Sequence, residues 1–364
     1  MDPKVLILRP GIEAGGGVNY YFNSLEKHMP STIEYLYRGA RYYPYRSGII
    51  RELFRLIADY FCYILTICLK RYDLIHLNTT LDKRGVIRDT VYIIIAKLLF
   101  YKVVLYFRGW DKDFEQRIDQ NKYRFFKKLL QKLNALICLS SDSKDCLRRW
   151  GYRGAIYNET TTVDIRLLKG LKIVDLCKKD FTSQEINILY LARLERDKGI
   201  YLVIDTFKEL LVDYPHLKLH IAGTGTEQEQ VRSYIQENLI GNTILYGYVK
   251  GADKVRLLMC CHIFFFPTWY KEGMPNAVLE AMAFGMPVVT RPVAGLSDII
   301  IENQTGFLST SLNASDYVTI FHRILAHPEL LKDISAYNIQ YAREAFYSNI
   351  VAQRILNIYN NLLS

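Results

Sequence analysis

Short apolar runs alternate with stretches of helical periodicity along most of the chain. In the first half, the run VLILRP (5–10) is followed by a glycine-rich loop and then by an amphipathic stretch near 18–29. Further apolar runs that end in polar or glycine residues lie at 72–78, 102–109 and 135–141. A regular alternation of strand and helix predicts a parallel sheet with helices on both faces.

The same alternation begins again in the second half. The predicted strands lie at 186–194, 217–223, 243–249, 262–268 and 286–290, and the predicted helices at 199–213, 227–239 and 275–284. Residues 158–185 between the halves are polar and rich in lysine, which predicts a linker. We therefore predict an α/β protein with two Rossmann-like, doubly wound domains that face a cleft. Ligands of such sheets bind at the carboxyl ends of the strands.

Composition and charge narrow the function classes. With 364 residues, half of them hydrophobic and 23% charged, the chain suits two globular domains and neither a disordered nor a fibrous protein. Residues 1–160 contain 27 Lys and Arg against 16 Asp and Glu, whereas residues 161–364 contain 20 against 21. A charge excess confined to one half predicts an anionic partner for that half.

We expect a cytoplasmic protein without a spanning helix. The beginning of the chain has no signal-peptide pattern, and the two most apolar stretches, 55–69 and 91–107, are short or interrupted by charge, so both are predicted to be buried. The seven cysteines show no metal-ligand spacing, which favours buried free thiols in a reducing compartment.

The segment 264–290, FFFPTWYKEGMPNAVLEAMAFGMPVVT, is the most informative. Gly273 permits a close backbone approach, Pro275 suits the first turn of a helix, and Gly285 suits its end. The amides around residues 273–276 would then form an anion site at a helix N-terminus. Beside it, Glu272 and Glu280 would accept hydrogen bonds from sugar hydroxyls, or would merely cap the helix and lie on a solvated face.

This segment resembles the E-x7-E signature of glycosyltransferase family 4, the large group of retaining enzymes with the GT-B fold, with Glu272 and Glu280 at its two glutamates. Segments 188–207, 221–227, 246–249 and 295–308 resemble further parts of the family in the expected order. The resemblance implies an N-terminal acceptor-binding domain over 1–165 and a C-terminal domain for the nucleotide sugar over 166–345. A terminal helix of about 346–364 would cross back to the first domain.

The resemblance also assigns roles. Arg193 and Lys198 match the basic pair that holds the donor diphosphate, Glu280 would bind the ribose, and Glu272 would face the donor sugar. Two cations can stabilise the charge that develops on a diphosphate leaving group. The further residues that it implies for donor binding are Gly16, Gly17, Tyr248, Val249, Gly273, Met274, Pro275 and Asn276. For Gly16 and Gly17, a plain tight turn is the alternative.

One position departs from the family pattern. Where many members have His-Gly-x-Asp after a strand, this chain has Arg108-Gly109-Trp110-Asp111. Arginine cannot act as a base at neutral pH, although it could hold an acceptor hydroxyl, a phosphate or the leaving group. His76, at the end of another predicted strand, is a weaker candidate that more often would be structural. Asp111 and Asp113 form a D-x-D pair, but the resemblance implies an architecture without metal, so neither a metal nor any other cofactor is expected.

The function implied is transfer of a sugar from a UDP- or GDP-linked donor to a lipid-linked or polysaccharide acceptor in cell-surface glycan synthesis. The basic amphipathic segment from 114 to 132 could lie on an anionic membrane surface, or pack against the core with a solvated face. The Tyr- and Arg-rich loop 38–48 could contact an acceptor or cover the core. A sugar-nucleotide epimerase and a catalytically silent donor-binding scaffold remain alternatives. A nucleic-acid partner is not expected, because no recognised motif for one is present.

Overall fold

The computed structural model describes residues 3–39, 48–120, 122–183, 185–270 and 273–364. The chain divides into two compact units, the first comprising Met1–Thr162 with Ser348–Ser364 and the second comprising Val163–Tyr347. Each unit contains a six-stranded parallel sheet. The predicted α/β class with two doubly wound domains is therefore confirmed. Most of the loop 38–48 and the residue Glu272 lie outside the described residues.

The first unit has the strand order β2-β1-β3-β4-β5-β6. Its strands are β1 (Val5–Arg9), β2 (Ile33–Tyr37), β3 (Leu74–Leu81), β4 (Lys102–Trp110), β5 (Ala135–Cys138) and β6 (Ala155–Asn158). Its helices are α1 (Gly17–Leu25), α2 (Ile49–Leu69), α3 (Lys83–Leu98), α4 (Lys112–Asp119), α5 (Arg124–Leu130), α6 (Ser141–Arg149) and, at the end of the chain, α15 (Ser348–Leu363).

The second unit has the strand order β12-β11-β10-β7-β8-β9. Its strands are β7 (Asn187–Leu191), β8 (Lys218–Ala222), β9 (Thr243–Gly247), β10 (Ile263–Phe266), β11 (Val288–Thr290) and β12 (Gly306–Leu308). Its helices are α7 (Ile173–Leu176), α8 (Ile200–Leu210), α9 (Gln228–Glu237), α10 (Gly251–Cys260), α11 (Asn276–Ala283), α12 (Leu296–Ile299), α13 (Ala314–Leu325) and α14 (Pro328–Ala345).

The central strands are apolar because helices cover both faces of each sheet. All four residues of β5 (ALIC) and all four of β10 (IFFF) are buried. A parallel sheet covered on two sides requires such continuous apolar runs rather than an alternating pattern. The helices that follow begin at polar caps: the side chains of Asp82, Asp111 and Ser140 accept backbone N–H groups of α3, α4 and α6.

The point at which the strand order reverses differs between the units. In the first unit it lies between β1 and β3, and in the second unit between β7 and β10. Crossover helices leave in opposite directions there, so the carboxyl ends of the two strands open a crevice in which ligands of such sheets bind. In the second unit this directs attention to the loops that begin after Leu191 and after Phe266.

Two predictions about burial are wrong. The stretch 55–69 was expected to be buried, but it belongs to α2, of which only one stripe packs on the sheet; Tyr63 is fully buried while Phe61 is 61% exposed. A helix on the outside of a sheet buries one face only. Likewise, four of the seven free cysteines are exposed, namely Cys62, Cys68, Cys177 and Cys260.

The predicted linker 158–185 is also more ordered than its polar composition suggested. Glu159, Thr162 and Asp164 are buried, and the segment contains α7 and a short 3-10 helix at Ile165–Leu168. The backbone N–H of Val163 donates to the carbonyl of Phe346 at 2.8 Å, so the beginning and the end of the second unit lie beside each other. None of the helices within the described ranges has both the length and the hydropathy needed to cross a membrane.

Candidate active site

The loop after β7 carries the first two predicted site residues, Arg193 and Lys198. The buried hydroxyl of Tyr190 donates to the carbonyls of both, at 3.2 and 3.4 Å. The backbone N–H of Leu194 donates to the carbonyl of Thr224 at 3.1 Å, which joins this loop to the one after β8. The backbone that bears the two cations is therefore fixed from both sides.

Close backbone contact explains the Gly223-Thr224-Gly225 sequence after β8. A Cβ on Gly223 would lie 1.8 Å from the carbonyl oxygen of Ala192, and one on Gly225 would lie 2.2 Å from that of Leu194. Gly223 also has φ +146°, a conformation that other residues rarely adopt. Glycine at these positions allows the loops after β7 and β8 to touch.

Tyr270, in the loop after β10, brings the two cations together. The Nζ atom of Lys198 lies 3.9 Å from the centre of the Tyr270 ring, and the guanidinium carbon of Arg193 lies 5.4 Å from it. The face of an aromatic ring attracts such cations. Lys198 is 6% exposed, whereas the side chain of Arg193 is 53% exposed and pairs with Glu195. One cation is thus held in place, and the other can reach solvent.

The loops after β7 and β10 are also joined directly. The backbone N–H of Trp269 and the hydroxyl of Thr268 donate to the carbonyl of Asp197 at 2.9 and 3.2 Å. These loops leave the neighbouring strands at which the strand order reverses. Arg193 and Lys198 therefore lie at the edge where this topology places ligands.

The helix α11 follows β10 and places its N-terminus at the same edge. The sequence predicted Pro275 in the first turn of this helix, but the structure has it at the N-cap position. No side chain caps the helix. The first amides of a helix lack partners within it, so those from Asn276 onward can bind an anion. Gly273 and Met274 are buried just before them, and the carbonyl of Gly273 accepts from the N–H of Gly295 at 3.0 Å.

Glu280 lies in α11 and is 1% exposed. Its carboxylate pairs with the Nζ of Lys254 in α10 at 2.5 Å, so the helix after β9 is joined to the helix after β10. The family resemblance assigned Glu280 to binding of the ribose. Lys254 was not predicted, because nothing in the segment KGADKVRLL distinguishes its second lysine from its first. Sequence reasoning also missed Tyr270, although it lies two residues before Glu272.

Tyr248 and Val249 follow β9, the edge strand of this sheet. Tyr248 is 73% exposed and Val249 is half-buried. The carbonyl of Gly247 accepts from the N–H of Gly223 at 2.7 Å, which ties their loop to the glycines after β8. The structure therefore places these two residues on the carboxyl edge, two strands away from β7.

Arg108, near the end of β4 in the first unit, lies between two tyrosines. Its guanidinium carbon is 3.9 Å from the ring centre of Tyr21 and 4.4 Å from that of Tyr106, and the residue is 9% exposed. Burial raises the pKa of both phenols, against the opposing effect of Arg108. Arg108 is thus a buried cation stabilised by aromatic faces.

His76 is a structural residue. Its Nδ1 lies 2.6 Å from the hydroxyl of Tyr359 in α15, and its ring packs against Phe22. Burial, with a smaller contribution from the charge of Arg108, lowers the pKa of His76 to about 3. A fully buried, neutral imidazole cannot exchange protons with a substrate at neutral pH, which agrees with the structural alternative.

The loop before α1, which includes Gly16, is held by a buried network that the sequence did not reveal. Arg9, fully buried, donates to the Oδ1 of Asn19 at 2.6 Å, and the Nδ2 of Asn19 donates to the carbonyls of Gly11, Ile12 and Ala14. Gly16 has φ +105° with no atom within 4 Å of a Cβ placed there, and Gly17 begins α1. The turn geometry therefore accounts for Gly16.

Asp111 is the N-cap of α4: its Oδ1 accepts the N–H groups of Asp113 and Phe114 at 3.0 and 3.3 Å. Within the described ranges, no group of three or more His, Cys, Asp or Glu side chains is arranged to hold a metal ion. The D-x-D pair thus has a local structural role, and metal independence stays a prediction.

Comparison with known proteins identifies the second unit. The family described as "Glycosyl transferases group 1" matches residues 177–341. This segment is thus similar to the group 1 glycosyltransferase domain. It contains Arg193, Lys198, Tyr270 and Glu280, so the edge described above lies within the matched domain.

Two relatives with similar sequences are named as glycosyltransferases. The capsular polysaccharide biosynthesis glycosyltransferase CapM of Staphylococcus aureus is 28% identical over 179 residues, which are 48% of this chain and 46% of that protein. The amylovoran biosynthesis glycosyltransferase AmsK of Erwinia amylovora is 28% identical over 152 residues, 40% of this chain and 37% of that protein. The chain thus matches less than half the length of each.

Solved structures extend the likeness of the fold to the whole chain. The Anabaena protein HepE in complex with UDP covers 98% of this chain and 100% of its own with a TM-score of 0.77 at 17% identity. The sucrose-phosphate synthase of Thermosynechococcus elongatus covers 98% of each chain with a TM-score of 0.73 at 18% identity. The fold is therefore the GT-B type that the sequence resemblance implied.

Proposed function

We propose that this protein is a retaining glycosyltransferase that moves a sugar from a UDP- or GDP-linked donor to a lipid-linked or polysaccharide acceptor. The observation that carries the proposal is the grouping of Lys198, Arg193 and the α11 N-terminus where the strand order of a group 1 domain reverses. The names of CapM and AmsK support a role in the synthesis of a surface polysaccharide. The UDP complex of HepE supports a nucleoside diphosphate as the ligand.

In the proposed reaction, a bond forms between an acceptor oxygen and the anomeric carbon as the bond from that carbon to the diphosphate breaks. The acceptor's proton passes to the leaving diphosphate oxygen on the same face, so configuration is retained without a protein base. Negative charge grows on the diphosphate, where Lys198, Arg193 and the helix amides would stabilise it. Because the cations belong to the protein, no metal is required in this proposal.

The remaining assignments rest on the family resemblance and stay predictions. Glu280 would bind the ribose hydroxyls beside Lys254, Tyr248 and Val249 would receive the base, and Glu272 would face the sugar. Arg108 would hold an acceptor hydroxyl or phosphate. Gly16 and Gly17 would let their loop approach the diphosphate. A cytoplasmic position, peripheral on the membrane, suits a lipid-linked acceptor.

A thermal-shift panel with UDP, GDP, ADP, CMP and their sugar conjugates, with EDTA present, tests the donor. A ligand at 100 times its dissociation constant adds about 2.7 kcal/mol to the unfolding free energy. We expect one base to give a clear shift without metal. No shift with any nucleotide in a folded sample would contradict the proposal.

Product analysis then separates transfer from the two alternatives. With the stabilising donor and an acceptor extract, we expect the sugar to appear on the acceptor with its anomeric configuration retained. A free isomerised nucleotide sugar would instead indicate an epimerase. Binding without turnover towards any acceptor would indicate a silent scaffold.

A further inference from the structure

The helix α2 presents a long apolar face to the outside of the first unit. Its inner side is buried through Asp59, Tyr63 and Ile67. Large apolar residues recur every three or four positions on the rest, and we call them the α2 face: Ile50, Leu53, Phe54, Ile57, Phe61, Ile64, Leu65 and Leu69, each between 37% and 82% exposed. Twenty-one residues extend about 30 Å. Continuous apolar surface on this scale is typical of an interaction site.

The end of α3 adds to this surface. Leu98, Leu99 and Phe100, which we call the α3 turn, are 71%, 41% and 94% exposed. The hydroxyl of the next residue, Tyr101, donates to the carbonyl of Ile67 at 2.6 Å, which fixes the turn beside the end of α2. Phe100 also has φ +61°, an unfavourable conformation for a bulky side chain. The fold thus holds a phenylalanine out in solvent.

Charge decides which partner suits this surface. Between Gly48 and Lys102 the chain has nine basic and five acidic residues, and two of the acidic ones, Asp59 and Asp89, are buried. Arg51 on α2 and Lys70 and Arg71 beyond its end are exposed, and of these Lys70 pairs with Glu34 at 2.8 Å. A second copy would bring the same positive charge towards itself, whereas an anionic lipid surface would attract it.

We propose that the α2 face and the α3 turn lie on a bilayer that contains anionic lipid, with α2 parallel to the membrane plane. A helix with one apolar side and flanking basic residues binds at the lipid interface in this way. The proposal names the surface that would bring the enzyme to a lipid-linked acceptor, and in this it rests on the proposed function. Lipid binding needs no nucleotide, so the two can be tested separately.

The basic segment 114–132, which the sequence analysis favoured for this role, is instead packed against the core. It forms the two helices α4 and α5, and Phe114, Ile118, Phe126 and Leu129 are buried. Only Phe125 of its phenylalanines is exposed, at 62%. The packed alternative is therefore the one observed, and Phe125 offers a matched control for the α2 face.

Flotation with phosphatidylcholine vesicles, with and without phosphatidylglycerol, tests the proposal. We expect the wild-type protein and Phe125→Ser to float only with the anionic vesicles, and less so as salt is raised. The double variant Phe54→Ser, Phe61→Ser should partition about tenfold more weakly or worse, because each side chain loses apolar burial in the lipid. Circular dichroism and the nucleotide thermal shift would verify that each variant is folded.

Three outcomes would overturn this inference. The wild type fails to bind anionic vesicles, the double variant floats as the wild type does, or Phe125→Ser abolishes flotation. If the wild type does not float and is a dimer by light scattering while the double variant is a monomer, the α2 face is a contact between copies. A positive thermal shift with a nucleotide in the same sample would leave the proposed function intact.

Discussion

Basic residues at the carboxyl ends of the strands differ in burial and in their partners between the two units. In the first unit, Arg9, Arg38 and Arg108 are all buried. Arg38 pairs with the buried Asp89 at 2.8 Å, and Arg9 and Arg108 lie against aromatic rings. Burial pushes the pKa of Asp89 upward, but Arg38 and Arg88 outweigh it, so that pKa lies below its usual value.

In the second unit, one of the two basic residues at the edge reaches solvent. Arg193 is half-exposed and Lys198 is held against Tyr270 beside it. The α11 amides add further positive potential there. The same doubly wound plan therefore uses charge for internal structure in one unit and for a candidate anion site in the other. Only the second kind of cation should affect ligand binding more than folding.

The Lys254–Glu280 pair of the second unit is an exception to this contrast, because its carboxylate is buried. A substitution in this pair should have the largest effect on stability. Glu280→Gln leaves Lys254 without its carboxylate, and breaking a buried pair costs about 3–5 kcal/mol of unfolding free energy. Urea unfolding would measure the loss. The double variant Glu280→Gln, Lys254→Met should recover most of that stability, because no charge is then left unpaired.

The double variant also tests the ribose. We expect its nucleotide affinity to stay low after stability has been restored, since a glutamine is a weaker acceptor for two hydroxyls than a carboxylate. Titration calorimetry with the nucleotide from the thermal-shift panel would measure it. Wild-type affinity in that variant would assign Glu280 to structure alone.

Lys198→Ala should reduce turnover roughly a hundredfold, as expected when one group that stabilises developing charge is removed. Steady-state kinetics with the identified donor would measure the loss. Lys208→Ala is the matched control, because Lys208 is an exposed lysine on α8 that donates a hydrogen bond to the side chain of Asn238 at 2.9 Å. Equal activity of the two variants would show that Lys198 does not stabilise the leaving group. The proposed difference between the cations of the two units would then not hold.

One histidine in each unit gives a pH dependence: His76 is buried and His262 is half-buried. The pKa of His76 is lowered to about 3 and that of His262 to about 4, in each case mainly by burial. The unfolded chain therefore binds more protons below about pH 6.5, so stability is full above that pH and falls as the pH decreases. Between pH 7.5 and pH 5 each histidine should remove about 2 kcal/mol of unfolding free energy.

Urea unfolding of the wild type, His76→Gln and His262→Gln at the two pH values would test this. Each substitution should flatten the pH slope by a similar amount, whatever it does to stability at pH 7.5. A slope that neither variant changes would contradict the neutral state of both histidines in the folded protein.

The smallest expected change in stability belongs to Arg108. Arg108→Met keeps an unbranched apolar chain between Tyr21 and Tyr106 while it removes the cation–π contacts, which are worth about 1–2 kcal/mol when desolvated. Thermal unfolding would measure this change. If turnover falls although the variant remains folded under the assay conditions, Arg108 takes part in function and is not only a structural cation of the first unit.

The sequence predicted the class of fold and the edge at which the site lies. Apolar runs such as IFFF at β10 require burial on both faces, and glycine and proline mark the ends of α11, so strands, loops and helix could be assigned by local rules. Arg193 and Lys198 were chosen from the family resemblance rather than from this pattern. The predicted strand 186–194 included Arg193, whereas the structure ends β7 at Leu191, so both residues lie beyond its carboxyl end.

Three-dimensional contacts decided what each charge does. Lys254 and Glu280 are 26 positions apart, and Arg9 reaches Asn19 through a turn, so no periodicity along the chain reveals these partners. The outer face of α2 was likewise mistaken for core, because an apolar run has the same composition whether its second side meets a neighbour or solvent. The sequence alone indicated most of the strands and helices, since local propensity and period govern them, but it did not predict the edge strands β2 and β12 or the short strand β6. Only the tertiary structure decided which cations are neutralised and which apolar face is left open, since both depend on what packs nearby.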